Sequence, residues 1–238
     1  LYLSIEDKGH VSEILENLPQ EAVDMIVVTD GQRILGLGDL GINGMGIPVG
    51  KLALYTACAG VDPRRTLPVI LDVGTNTERY LNDPLYLGHK HPRVSGQEYD
   101  DFIEEFFQSV YKKWPKCVVQ FEDFGNNHAF DLLARYRSRY CCYNDDIQGT
   151  ASIVVSGFFS AMRAKKSKLS NEKILFLGAG EAATGVAGLI ADAMVEDGLS
   201  REDALARLYL FDSKGLVTTT RGDTLAAHKL PFAKNILI

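Results

Sequence analysis

Two acidic pairs, Glu122-Asp123 in the run QFEDFGN and Asp145-Asp146 in the run CYNDDIQGT, stand ahead of a glycine-rich loop, LFLGAGEAATG. Carboxylate oxygens brought in from separated segments suit a hard cation such as Mg²⁺ or Mn²⁺. A dinucleotide loop nearby adds an oxidation in which that cation polarises a substrate oxygen. Acidic pairs also serve as solvated surface or helix N-caps, and side-chain preference alone does not separate these uses. The flanks are more informative. The runs VVQF and CCY precede the two pairs, so the acids are expected to emerge at the ends of buried strands, where α/β proteins collect their sites.

In LFLGAGEAATG, Gly178, Gly180 and Ala183 fit G-x-G-x-x-A directly after a strand and at the opening of a helix. Gly178 permits the turn, Gly180 lets the backbone reach a pyrophosphate, and Ala183 lets helix and strand pack closely. Glu181 and Ala182 complete the cofactor-binding turn, whose helix N-terminus faces the anion. The alternative is a tight strand-to-helix turn without a ligand. The next strand ends at Asp212, where an acid accepts hydrogen bonds from the adenosine ribose of NAD. Ser213, Lys214 and Lys229 would instead accommodate a 2′-phosphate, which favours NADP, unless the lysines are ordinary solvated surface.

Elements must position these groups, and the pattern is α/β. AVDMIVVTDG, LPVILDVG and CVVQFED read as buried strands, CCYNDD as a short one, and YDDFIEEFFQSVYKKW and AFDLLARYRSRY as helices. Seven glycines crowd GQRILGLGDLGINGMGIPVGK, a density that predicts tight turns and close backbone approach before a small-residue helix over LALYTACAG. Lys51 then ends the glycine run and starts that helix. After Asp146 come an apolar helix through RAKK and the βαβ unit KILFLGAG, EAATGVAGLIADAMVEDG, ARLYLFDSKG, which implies a parallel sheet. The expected domains are 1–146, with a parallel sheet carrying substrate and metal groups, and 147–238, a partial Rossmann-type dinucleotide-binding domain.

Across 238 residues the net charge is −6 and no lysine- or arginine-rich stripe is present, which argues against a nucleic-acid partner. RAKKSK at 163–168 is read as the cationic end of a helix. No apolar run approaches the roughly 20 residues that cross a bilayer, so no membrane partner is expected. Cys58, Cys117, Cys141 and Cys142 show no CxxC spacing and are expected to be buried, inert thiols in a reducing compartment. The chain begins LYLSIEDKG and ends KNILI on what reads as a strand, so both ends are expected to be cut from something longer.

Taken together, GQRILGLGDLGINGMGIPVGKLALYTACAG, VVQFEDFGNNHAF, YNDDIQGTA and KILFLGAGEAATGVA closely resemble the malic enzymes. The resemblance runs through essentially the whole chain. It implies a divalent-metal-dependent oxidative decarboxylation of L-malate to pyruvate and CO₂ with reduction of NADP or NAD, in a homodimer or homotetramer of the cytoplasm or mitochondrion. Position by position it implies Glu122, Asp123 and Asp146 as metal ligands, Arg33 as the group that holds a malate carboxylate, Lys51 as general base and Asp145 as the acid that partners it. Ser213 and Lys229 match the residues of NADP-using members. The family's general acid, a tyrosine, has no counterpart in a matching segment, and Tyr2 is not assigned to it. Two other readings stay open: a hydroxy-acid or amino-acid dehydrogenase indifferent to metal removal, and an inactive cofactor-binding fragment or paralogue that assembles with complete subunits.

Overall fold

A computed structural model of the chain describes residues 1–236, apart from the side chains of residues 223 and 224. It divides into two compact units, residues 1–143 and 144–238. In the first unit, strands β1 (Tyr2–Ser4), β2 (Met25–Thr29), β3 (Thr66–Asp72), β4 (Val118–Phe121) and β5 (Cys142–Asn144) form one sheet in the order β1-β3-β2-β4-β5. The pairings of β1 with β3, β3 with β2 and β2 with β4 are parallel. The helices are α1 (Val11–Glu16), α2 (Gly46–Ala59), α3 (Glu78–Leu81), α4 (Gln97–Lys113) and α5 (Asn126–Tyr136). Strands buried on both faces need continuous apolar runs, and Ile26, Val27, Val28, Val69 and Ile70 are each fully buried.

Helix α4 follows from its periodicity. Tyr99, Phe102, Ile103, Phe106, Phe107 and Val110 recur at three- and four-residue spacing and are all buried. Glu98 and Asp100 lie in its first turn and Lys112 and Lys113 in its last, as the helix dipole favours.

Helix α2 departs from the sequence expectation. It begins at Gly46, so Lys51 sits in its second turn and not at its start. The first four N–H groups of a helix have no internal acceptor, so Pro48 in that turn sacrifices no hydrogen bond, and a 3₁₀ turn at Gly41–Met45 leads directly into it. The thiols are also not uniformly buried: Cys58 and Cys141 are exposed, Cys142 is half-buried and Cys117 is buried, where burial pushes its pKa up to about 12.

An ion clamp holds the loop that carries Arg33 and leads into α2. The Arg93 guanidinium, 6% exposed, donates through Nε and Nη2 to the two carboxylate oxygens of Asp39, each at 2.9 Å. Its Nη2 also donates to the Asp30 carbonyl at 2.7 Å, and Nη1 lies 3.5 Å from the Asp30 carboxylate. Tyr99 donates to Asp30 at 3.0 Å, and the backbone N–H groups of Gly41 and Asn76 donate to Asp39 at 2.9 and 2.8 Å. Burial alone would raise the Asp39 pKa, but the Arg93 guanidinium holds it below the usual carboxylate range.

In the second unit a π-helical turn at Asp145–Gly149 leads into α6 (Thr150–Lys165), which ends at left-handed Lys166 with Arg163 and Lys165 in its last turn. Then follow β6 (Ile174–Leu177), α7 (Glu181–Glu196), α8 (Arg201–Ala206), β7 (Leu208–Asp212) and β8 (Gly215–Leu216). Strands β6 and β7 pair in parallel, and β8 folds back antiparallel on β7 through Ser213-Lys214. Ala187, Ile190, Ala191 and Met194 of α7 pack with Leu208 and Leu210 of β7 in one core. Of the C-terminal strand expected at KNILI, Lys234 bridges Thr218 in parallel, and residues 237 and 238 lie outside the described residues. Among the described residues no helix is long and apolar enough to cross a membrane.

Removing Arg93 leaves two carboxylates without their buried cation. Arg93→Met in the full-length protein is expected to lower the stability of the first unit by about 3–5 kcal/mol, read as an earlier denaturant midpoint. A loss below about 1 kcal/mol would show that the clamp does not hold this loop.

Candidate active site

Two strand ends deliver the acidic residues. The β4 ladder continues for one step past the strand, with the Glu122 N–H donating to the Val28 carbonyl at 2.9 Å. At Asp123 the chain turns out of the sheet through a left-handed backbone with φ of 54°, a conformation that aspartate tolerates better than most residues. Both acids are 5% exposed. The Asp123 carbonyl accepts from the Arg33 N–H at 3.1 Å, and its carboxylate accepts from the Leu35 N–H at 3.3 Å, so the glycine-rich loop is laced to the end of β4. Non-glycine residues held in left-handed backbone cost about 1–3 kcal/mol and cluster at functional sites.

Helix α2 faces the same strand end. The Lys51 ammonium lies 3.0 Å from Glu122 Oε1, with the lysine side chain 25% exposed and the glutamate 7%. One helical turn later Tyr55 donates to Gln120 Oε1 at 2.5 Å. The two pairs register because four helical residues advance about 6 Å and two strand residues about 6.6 Å. Lys51 and Tyr55 therefore span the same length as Glu122 and Gln120, with the helix running antiparallel to the strand. Gln120 Nε2 donates to Glu122 Oε2 at 2.5 Å, and Tyr143 donates to Gln120 Oε1 at 2.7 Å. Across the loop, Arg33 Nη1 donates to Asn126 Oδ1 at 2.5 Å, at the first position of α5.

The structure thus brings together Lys51 with Glu122, and Arg33 with Asp123 and Asn126. Asp145 and Asp146 lie in the second unit, in the π-helical turn that follows β5, where Asn144 caps the turn by accepting from the Ile147 N–H at 3.1 Å. Such single π turns recur at functional sites. Within that unit the Ile147 carbonyl comes so close to Gly185 of α7 that a Cβ there would sit 2.5 Å from it.

Among the described residues no group of three or more His, Cys, Asp and Glu gathers at metal-ligand spacing. Glu122 and Asp123 still fit a divalent ion in their chemistry. They are two adjoining, nearly buried carboxylates that supply hard oxygen donors.

In the nucleotide loop Gly178 adopts φ of 131°, open to glycine, and Gly180 is the N-cap of α7 and makes no side-chain cap. Ala182 and Ala183 lie in the first turn, and Glu181 beside them is 4% exposed. Asp212 ends β7 as expected, but its carboxylate is already engaged. Arg221 donates to both of its oxygens, at 2.9 and 2.8 Å, and Lys229 donates to one at 2.8 Å. Arg221, through its hydrogen bonds, is the main reason that the Asp212 pKa falls far below the usual range. Ser213 and Lys214 form the exposed turn to β8.

Sequence reasoning missed Gln120, Tyr55, Tyr143, Asn126 and Arg221. A glutamine inside an apolar strand two residues before Glu122, and a tyrosine four residues after Lys51, were the available signals for the first two. Arg221 carries no comparable signal, because its nine-residue separation from Asp212 is bridged by a turn that only the fold defines.

Residues 1–137 match the family described as malic enzyme, N-terminal domain, and residues 147–237 match malic enzyme, NAD binding domain. Over 234 residues, 98% of this chain, it is 56% identical to the NADP-dependent malic enzyme of Mus musculus and 53% identical to that of Dictyostelium discoideum, covering 41% and 43% of those proteins. The chain therefore spans somewhat over two fifths of the length of these relatives. Its fold is shared with the crystal structure of Entamoeba histolytica malic enzyme at a TM-score of 0.63 and 23% identity, over 95% of this chain and 40% of that one.

Asp212 yields a pH prediction. Its folded pKa is depressed, so the stability it contributes is fully present above the unfolded value of about 3.9 and is lost as pH falls below it. Unfolding midpoints followed from pH 6 to 2.5 should fall less steeply in Asp212→Asn than in the parent below about pH 4. Parallel curves would mean that the ion pairs do not couple to folding.

Proposed function

This chain belongs to the malic enzyme family, and we propose that the protein oxidises and decarboxylates L-malate to pyruvate and CO₂ with reduction of NADP. The observation that carries this reading is the 3.0 Å pair between Lys51 and Glu122, which sets an amine able to move a proton beside a carboxylate able to hold a cation.

In this reading Glu122 and Asp123 are ligands of Mg²⁺ or Mn²⁺, and Asp146 is the third that the family resemblance implies. When bound, the ion supplies Lewis-acid polarisation of the substrate oxygen and a positive charge that favours the neutral amine of Lys51, and the nicotinamide supplies a hydride acceptor. Arg33, oriented by Asn126, holds a malate carboxylate with its planar guanidinium. Lys51 takes the proton of the C2 hydroxyl while hydride leaves C2. Loss of CO₂ from the ketone then leaves an enolate, which is protonated at C3 to give pyruvate. The family resemblance implies Asp145 as the acid that partners Lys51.

The preference for NADP is supported by the charge around Asp212. Arg221 and Lys229 on one carboxylate leave the place net positive, which suits a 2′-phosphate better than a ribose hydroxyl that needs an acceptor.

The first test follows NADPH and pyruvate in the full-length protein with L-malate, NADP and Mn²⁺, and again with EDTA. Metal-dependent NADPH matched by pyruvate supports the reading, and NADPH without pyruvate overturns decarboxylation. Lys51→Ala is expected to cost about 10²–10⁴ in kcat with a smaller change in the KM for malate. Lys229→Gln should raise the KM for NADP far more than that for NAD, and equal effects would refute the 2′-phosphate assignment.

A further inference from the structure

Gln120 is fully buried on β4, where its neighbours Val119 and Phe121 are buried apolar side chains. An amide in such a place is costly unless its hydrogen bonds are made, and a hydrophobic residue would serve the sheet as well. The bonds of Gln120 are made, and they lead to one place. Its Nε2 donates to Glu122 Oε2 at 2.5 Å, while its Oε1 accepts from Tyr55 at 2.5 Å and from Tyr143 at 2.7 Å. The two hydroxyls are 2.9 Å apart, so three short contacts share two hydroxyl protons. The amide orientation is dictated by this arrangement, because the reverse would set Oε1 against the Glu122 carboxylate.

We propose that Gln120, held by Tyr55 and Tyr143, is a positioning residue that fixes the Glu122 carboxylate for a divalent cation. This rests on the reading of Glu122 as a metal ligand. Residues two apart on a strand share a face, so the amide reaches Glu122 without distortion. One N–H occupies one lone pair of Oε2 and restrains rotation of the carboxylate, whose other oxygen faces the Lys51 ammonium at 3.0 Å. The two tyrosines, one from α2 and one from β5, lock the amide in turn, so the carboxylate that ends β4 inherits its orientation from three elements of the first unit. Partners that orient metal ligands in this way are worth about 10–100-fold in metal affinity.

The test is direct Mn²⁺ titration of the full-length protein without substrate, counting free Mn²⁺ by electron paramagnetic resonance. Gln120→Met, close in size and without the donor, is expected to weaken Mn²⁺ binding about 10–100-fold while the Kd for NADP stays within twofold. Tyr143→Phe, which removes one oxygen, should weaken it less, and the double variant should be no worse than Gln120→Met alone, because the tyrosine acts through the amide. Unchanged Mn²⁺ affinity in both single variants overturns the proposal and leaves the metal site standing. Absence of Mn²⁺ binding by the parent protein would overturn the metal reading itself. Should Gln120→Met not fold, Tyr143→Phe alone decides, with affinity equal to the parent's counting against the proposal.

Discussion

A buried guanidinium between two carboxylates is the constraint on which the first unit depends. Arg93 joins Asp30, immediately after β2, to Asp39, in the middle of the glycine-rich loop. The loop has few side chains of its own to pack, so without that clamp little would choose among its conformations. With it, the carboxylate of Asp39 also gathers the backbone N–H groups of Gly41 and Asn76, and the loop enters α2 through a defined 3₁₀ turn. Removing one member of such a buried set strands the others, which makes the clamp hard to vary and effective at specifying one geometry.

What the clamp positions is a helix whose repeat matches that of the strand it faces. Lys51 and Tyr55 on α2 meet Glu122 and Gln120 at β4, one turn against two residues. A slip of one residue along the strand would turn the facing side chains to the other side of the sheet, so the apolar registry of β2 and β4, with Val27 opposite Gln120 and Val28 opposite Phe121, also sets the chemistry. The Lys51 amine, the Glu122 carboxylate and the amide behind it thus follow from one packing decision.

In the second unit the corresponding decision is electrostatic. Asp212 stands at the strand end where an acid meets a ribose, yet the fold brings Arg221 and Lys229 onto it from separate turns. The same aspartate then holds two cations, and the character of the place changes from acceptor to donor without a change at the strand end.

Much of this was legible in the chain. Apolar runs located β2, β3, β4, β6 and β7, the spacing of apolar residues located α4, and the acids at strand ends and the glycine loop before α7 marked the candidate sites. These signals are local, because they rest on backbone periodicity and on the conformations that glycine alone adopts. The start of α2 was misplaced because glycine density argues against a helix locally, whereas capping by a preceding 3₁₀ turn and burial of Pro48 and Leu52 override that preference. The partners of the Arg93 guanidinium, the tyrosine partners of Gln120 and the cationic partners of Asp212 lie 54–63, 23–65 and 9–17 residues away in the chain. No periodicity encodes those separations. The residue types capable of the chemistry were determined by the sequence alone, whereas which amide, hydroxyl or guanidinium completes each carboxylate was decided by tertiary structure, since a buried charge takes the partner that packing brings within hydrogen-bond reach.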